Sequence, residues 1–141
     1  MKKRKKLTYY AECLCKGIKV KIKDKIRHVS NCHCIQCMKT HGNFAAYTGC
    51  EEKNMSFINK STLRWFKSSK IAKRGFCVKC GASFFYKKYK SKNISIAAGM
   101  LKSPTKLKTY ANIYVKNKMD YYKLDPKIPK FAKLKLSLIH I

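Results

Sequence analysis

Acidic residues are scarce: six Asp and Glu stand against 34 Lys and Arg in 141 residues, giving a formal charge of +28. Apart from the adjacent Glu51 and Glu52 they are dispersed, and no carboxylate pair for general acid–base work is expected. Long apolar runs are missing as well. No segment approaches the ~18 apolar residues of a membrane helix, and the basic start "MKKRKKLTYYAECLC" leads into no apolar h-region of a signal peptide. A soluble, cytoplasmic protein with no membrane partner is expected. Arginine is nearly absent, with four Arg against thirty Lys. Base readout and phosphate forks favour Arg, whereas an even lysine coat, as an AT-rich genome produces, gives solubility and non-specific attraction. No dedicated nucleic-acid partner is therefore expected. There is no internal repeat and no sign of a second domain. A single domain of this length should bury ~68% of the surface its unfolded chain exposes, so a core is possible without disulfide staples.

What the chain does contain is short alternation. In "GIKVKIKD" Ile18, Val20 and Ile22 alternate with Lys19, Lys21 and Lys23, the period of a strand with one wet face. "FAAYTG", "STLRWFKSS", "ASFFYKKY", "NISIAAG" and "KTYANIYV" are similarly short, aromatic or β-branched, and bounded by Gly, Ser, Asn or Lys. They predict a mainly β domain of small antiparallel sheets. One or two helical turns are predicted around Ile35–Thr40, and Pro104, Pro126 and Pro129 mark turns or extended coil. The expected organisation is a basic extension over 1–6, one domain over 7–135 and a foreign tail over 136–141. The tail, "LSLIHI", matches the translation of a transposase-end adapter used in sequencing libraries, so His140 is set aside.

Cysteine is abundant, with eight residues and no secretory signal to favour disulfides. Cys13 and Cys15 form a C-x-C whose sulfurs share one face if the segment is a strand. Cys77 and Cys80 form a C-x-x-C followed by Gly81, a zinc-knuckle turn in which glycine takes a positive φ without steric cost. Two such distant pairs complete a tetrahedron of four thiolates. The bland alternative is a set of buried small hydrophobes.

"NCHCIQCMKTHG" adds Cys32, Cys34 and Cys37 with His33 and His41. Three thiolates leave one corner of a tetrahedron open, as in a catalytic zinc site. The alternative is a second structural site closed by Cys50, His33 or His41. Cys50 ends an apolar run where a buried thiol is ordinary, and His33 alternates with the sulfurs and should point away from them. His41, after the short helix, is a candidate for proton transfer or anion contact.

C-x-C, then C-H-C-x-x-C-x-K-x-x-G, then G-F-C-x-x-C-G, followed by "IAAGMLKSP" and "ANIYVKNKMDYYKLDPKIPKF", resembles the glutathione-dependent formaldehyde-activating enzyme family, whose domain also occurs in centromere protein V. The similarity runs from about Glu12 to Phe131. The resemblance implies an Mss4-like β fold with two zinc ions per chain, a structural one on Cys13, Cys15, Cys77 and Cys80 and a catalytic one on Cys32, Cys34 and Cys37. It implies a carbon–sulfur lyase that condenses glutathione with formaldehyde to S-hydroxymethylglutathione, or the reverse, so the implied partners are a small-molecule thiol and an aldehyde. The competing reading is a non-catalytic zinc-stabilised module that binds thiols, proteins or acidic partners. Two positions depart from the family pattern. Lys16 followed by Gly17 replaces the usual Gly after C-x-C, which is expected to shift a turn, and Asn112 replaces a His, removing an imidazole that could have touched substrate.

Overall fold

The alternation read in "GIKVKIKD" becomes a strand whose apolar residues are sealed and whose lysines are not: Val20 and Ile22 are fully buried, while Lys19 and Lys21 are half-buried and Lys23 is exposed. The computed structural model describes residues 7–134; the basic extension over 1–6 and the tail over 136–141 lie outside the described residues. In chain order the elements are β1 (Thr8–Glu12), β2 (Lys19–Lys23), β3 (Val29–Cys32), α1 (Ile35–His41), β4 (Ala45–Glu51), β5 (Met55–Asn59), β6 (Leu63–Lys67), β7 (Ala72–Cys77), β8 (Ser83–Lys88), β9 (Asn93–Ala97) and β10 (Thr109–Ile113). The fold is mainly β, as the sequence predicts. No helix among the described residues is long and apolar enough to cross a membrane.

Strands β1, β2 and β5 form a three-stranded sheet, and a seven-stranded sheet runs in the order β10, β3, β4, β9, β8, β7, β6. The main core contains Ile18, Val20 and Ile22 from around β2, with Phe84, Phe85, Ile94 and Ile96 from β8 and β9. Pairing is antiparallel except between β10 and β3, which are parallel. A tight hairpin can join only antiparallel neighbours; β10 reaches β3 after most of the chain has intervened, so either direction was open to it.

Strands β1, β3, β5 and β7 were not legible as alternating runs. The clearest case is β7, "AKRGFC", whose two charged residues interrupt any apolar period. Its Gly75 has a packing reason: a Cβ there would sit 2.9 Å from Phe85 Cδ2 and 3.0 Å from Trp65 Cζ3. Without it the two rings stack across the strand, 5.7 Å apart and 22° from parallel.

The short helix sits where the sequence places it, and its ends explain why. Cys34 is the N-cap, its Sγ accepting from the Cys37 amide at 3.3 Å. Gly42 closes the other end in the left-handed region, φ 87°, with its N–H on the Met38 carbonyl. Lys39 lies in the last turn, where the helix dipole favours positive charge.

Candidate metal centre

The four sulfurs of Cys13, Cys15, Cys77 and Cys80 lie within 4.8 Å of one another. Cys15 Sγ is 3.7 Å from Cys13 Sγ and 3.5 Å from Cys77 Sγ. Tetrahedral ligation at a zinc–sulfur distance of about 2.3 Å puts sulfurs roughly 3.8 Å apart, so the donor set fits zinc. The first pair converges through a turn beyond β1 rather than on a strand: Lys16 N–H donates to the Cys13 carbonyl at 3.0 Å, and Ile18 N–H donates to Cys13 Sγ at 3.3 Å. Lys16 itself adopts the left-handed region, φ 65°, at a strain of roughly 1–2 kcal/mol that glycine avoids. Gly17 is needed for close approach, since a Cβ there would lie 2.2 Å from Thr62 Oγ1. Desolvation pushes the Cys77 thiol up, but the Thr62 hydroxyl and the Cys80 amide more than offset it and bring it down to about 6. Gly81 has the positive φ, 77°, that its place after C-x-x-C predicts.

Cys32 ends β3, Cys34 caps α1 and Cys37 lies in its first turn, and these three sulfurs also lie within 4.8 Å of one another. Hydrogen bonds from Cys32, then from Cys37, bring the Cys34 thiol down to about 2, and the Arg74 charge adds to the effect. The set therefore holds negative charge and suits a thiophilic cation. Among the described residues no fourth ligand joins the cluster. Cys50 lies in the main core and His33 on the other side of the segment, so neither closes the site. His33 is fully buried, with Nε2 3.0 Å from Asn112 Oδ1 and Nδ1 2.5 Å from the Tyr122 hydroxyl.

Asn112 thus bonds the imidazole behind the cysteines. Its neighbours Ala111 and Ile113 pack with Cys32 and Cys37, and strand alternation turns Asn112 to the opposite face. The expectation that a side chain at this position could meet substrate is corrected by that register.

Several residues that sequence reading passed over converge on the triplet. Arg74 of β7 is 7% exposed, yet none of the three ion pairs among the described residues includes it. It donates from Nη2 to Cys37 Sγ at 3.5 Å, from Nη1 to the Tyr47 hydroxyl at 3.1 Å and from Nε to Gln36 Oε1 at 3.1 Å, and lies 5.0 Å over the Tyr86 ring. A buried guanidinium without a carboxylate needs another anion. Within the cluster Cys34 is the thiol driven down, partly by the Arg74 charge, while its neighbours push Cys32 and Cys37 up, so the negative charge that Arg74 meets is centred on Cys34. His41 Nε2 is 2.8 Å from the Tyr47 hydroxyl, and the two rings meet edge to face. Burial, and then the Arg74 charge, lower His41 to about 4, so it is neutral at pH 7.

A cavity of about 940 Å³ opens onto this cluster. Cys32, Cys34 and Cys37 line it with Tyr47, Arg74 and Tyr86, while Ile35, Ile71, Lys70, Lys88 and Lys90 line other parts of its wall. His41 is not in that lining and reaches the cavity only through Tyr47. Tyr114, just after β10, lines it from a left-handed backbone, φ 55°, that aromatic residues seldom adopt.

The chain resembles proteins with this architecture. An uncharacterised lyase of Schizosaccharomyces pombe is 29% identical over 126 residues, covering 88% of this chain and 90% of that protein. A crystal structure of a Rhodobacter sphaeroides protein superposes with a TM-score of 0.57 at 13% identity, covering 86% of this chain and 98% of the other, which establishes the shared fold. The family model for the glutathione-dependent formaldehyde-activating enzyme matches residues 8–117. With most of the chain inside that match and every cysteine of the two clusters in its expected place, the chain belongs to the glutathione-dependent formaldehyde-activating enzyme family.

Proposed function

We propose that the protein is a zinc-dependent carbon–sulfur lyase-type enzyme that joins glutathione to formaldehyde, giving S-hydroxymethylglutathione, or cleaves that adduct. The observation that carries this reading is a roomy cavity ending on three thiols with no fourth protein ligand among the described residues. Cys13, Cys15, Cys77 and Cys80 would hold a structural zinc, and Cys32, Cys34 and Cys37 a catalytic one. When bound at the triplet, zinc supplies a thiophilic position where an incoming thiol, with a free pKa of about 8.5, is deprotonated at neutral pH.

The chain's own residues do the rest. Arg74 fixes Cys37 and balances the charge of the cluster. Lys70, Lys88 and Lys90 attract an anionic thiol into the cavity. In the forward direction the thiol sulfur bonds to the aldehyde carbon, the carbonyl π pair moves to oxygen, and that oxygen takes a proton while the thiol's proton goes to solvent. Tyr47 is placed to give it. With His41 as the Nε2–H tautomer, His41 and Arg74 both donate to Tyr47 Oη. The phenol's own proton is then free to point into the cavity, and the phenolate left behind, held by these two donors, recovers its proton from solvent in the cavity. His41, neutral at pH 7, is thus a positioning residue that orients the Tyr47 hydroxyl rather than the acid itself.

Formation of S-hydroxymethylglutathione followed by NMR, with and without metal-loaded protein, tests the reading. A rate above the uncatalysed reaction supports it. No acceleration would leave the zinc-stabilised binding module. Tyr47→Phe is expected to lower kcat by about 10²-fold, the lower end for general acid–base catalysis, with unchanged metal content. Wild-type turnover in that variant would remove Tyr47 from the proton path.

A further inference from the structure

Only four arginines occur in this lysine-rich chain, and two of them, Arg27 and Arg74, line the cavity. Lysine can replace arginine as a point charge but not as a planar fork of donors. Arg74 spends its fork on Cys37, Tyr47 and Gln36. Arg27 does not. Its backbone is pinned to β4, the N–H donating to the Gly49 carbonyl at 2.8 Å and the carbonyl accepting from the Thr48 hydroxyl. Its side chain lies against Gly49, where a Cβ would come 3.5 Å from Nε and 3.8 Å from Nη2. Nη1 is held by the Ser30 hydroxyl at 2.6 Å and the Tyr110 hydroxyl at 3.3 Å. Nε and Nη2, the edge that makes a bidentate pair, have no hydrogen-bond partner among the described residues, and no acidic side chain there pairs with Arg27.

We propose that Arg27 is a carboxylate subsite, so that the cavity selects thiols that also carry a carboxylate. The proposal rests on the thiol-binding reading above. Gly49 lies two residues from Tyr47 on the same strand and face, a separation of about 7 Å, and Tyr47 is tied through Arg74 to Cys37. Arg27 and the three cysteines line the same cavity, so a thiol held at the triplet can present a carboxylate to the Arg27 fork. Ser30 and Tyr110 are positioning residues that fix the plane of the guanidinium.

The test is calorimetric binding of S-methylglutathione, which carries both carboxylates but no thiol, and of its diethyl ester, to metal-loaded wild type, Arg27→Met, Arg27→Lys and Ser30→Ala. Arg27→Met is expected to weaken S-methylglutathione by about tenfold or more, the scale of a charge-assisted pair, and to move the ester little. Arg27→Lys should recover part of that loss, and Ser30→Ala should show a smaller loss in the same direction with the charge untouched. Near-UV circular dichroism identifies any variant that fails to fold; should Arg27→Met fail, Arg27→Lys and Ser30→Ala decide. Wild type that binds S-methylglutathione while these variants bind it equally well would overturn the subsite and leave the enzyme reading standing. Equal losses for acid and ester would also overturn it, because Arg27 would then shape the cavity without reading charge. Wild type that binds neither ligand and turns over no glutathione would overturn the underlying reading itself.

Discussion

Cys77→Ser is expected to yield protein that is largely unfolded or insoluble, with no bound metal at the first cluster. Cys77 is fully buried at the end of β7, its sulfur 3.5 Å from Cys15 and 3.1 Å from Thr62. The cluster joins the turn after β1 to the turn after β7, so it closes a loop over more than half the described chain. A structural zinc contributes about 10–16 kcal/mol to folding in small domains, against a total stability of about 5–15 kcal/mol for a typical protein. Losing most of the former is enough to cancel the latter. Circular dichroism and metal analysis of the purified variant check this. A folded Cys77→Ser protein melting near wild type would mean that the four thiols are packing groups and that the hydrophobic core between the two sheets suffices.

Cys34→Ser is expected to fold, retain one equivalent of zinc and lose turnover by at least about 10²-fold. The reason lies in the double duty of this position. Cys34 is both a member of the triplet and the N-cap of α1. Serine is a preferred N-cap, so its hydroxyl can accept from the Cys37 amide and preserve the helix, while a neutral hydroxyl replaces a thiolate in the cluster. Mild chelation of the wild type is expected to produce the same state, because a site with an open corner admits a chelator and a site closed by four cysteines does not. Metal content, a thermal melt and the NMR assay on the same sample separate the outcomes. If Cys34→Ser melts as badly as Cys77→Ser, the triplet is structural and the enzyme reading fails.

These two cysteines also mark what was legible. The C-x-C, C-x-x-C and C-x-C-x-x-C spacings are local, and a few residues of backbone decide whether their sulfurs converge. The helix over Ile35–Thr40 extends by one residue to His41, where Gly42 stops it. The sheet around Val20 and Ile22 could be read because one face is apolar and the other is not. Strand β7 could not. Arg74 looks like one more surface charge in a chain of thirty lysines, and only its pairing opposite Tyr86 on β8 and Phe66 on β6 shows that it is enclosed.

Local residue order was enough for two cysteine clusters able to hold a metal, the β-rich class and the short helix, since each follows from spacing and periodicity over a handful of residues. The three-dimensional arrangement settled the rest of the site: that Arg74 meets Cys37, that His41 sits behind Tyr47, that Asn112 faces His33 and that Arg27 lies across Gly49. All but the His41–Tyr47 contact, which spans six residues, join segments far apart in sequence, and a slip of one residue in register would send Arg74, Tyr47 or Asn112 to the other face of the sheet. Register is set by the packing of the whole core, so no local stretch of residues carries it.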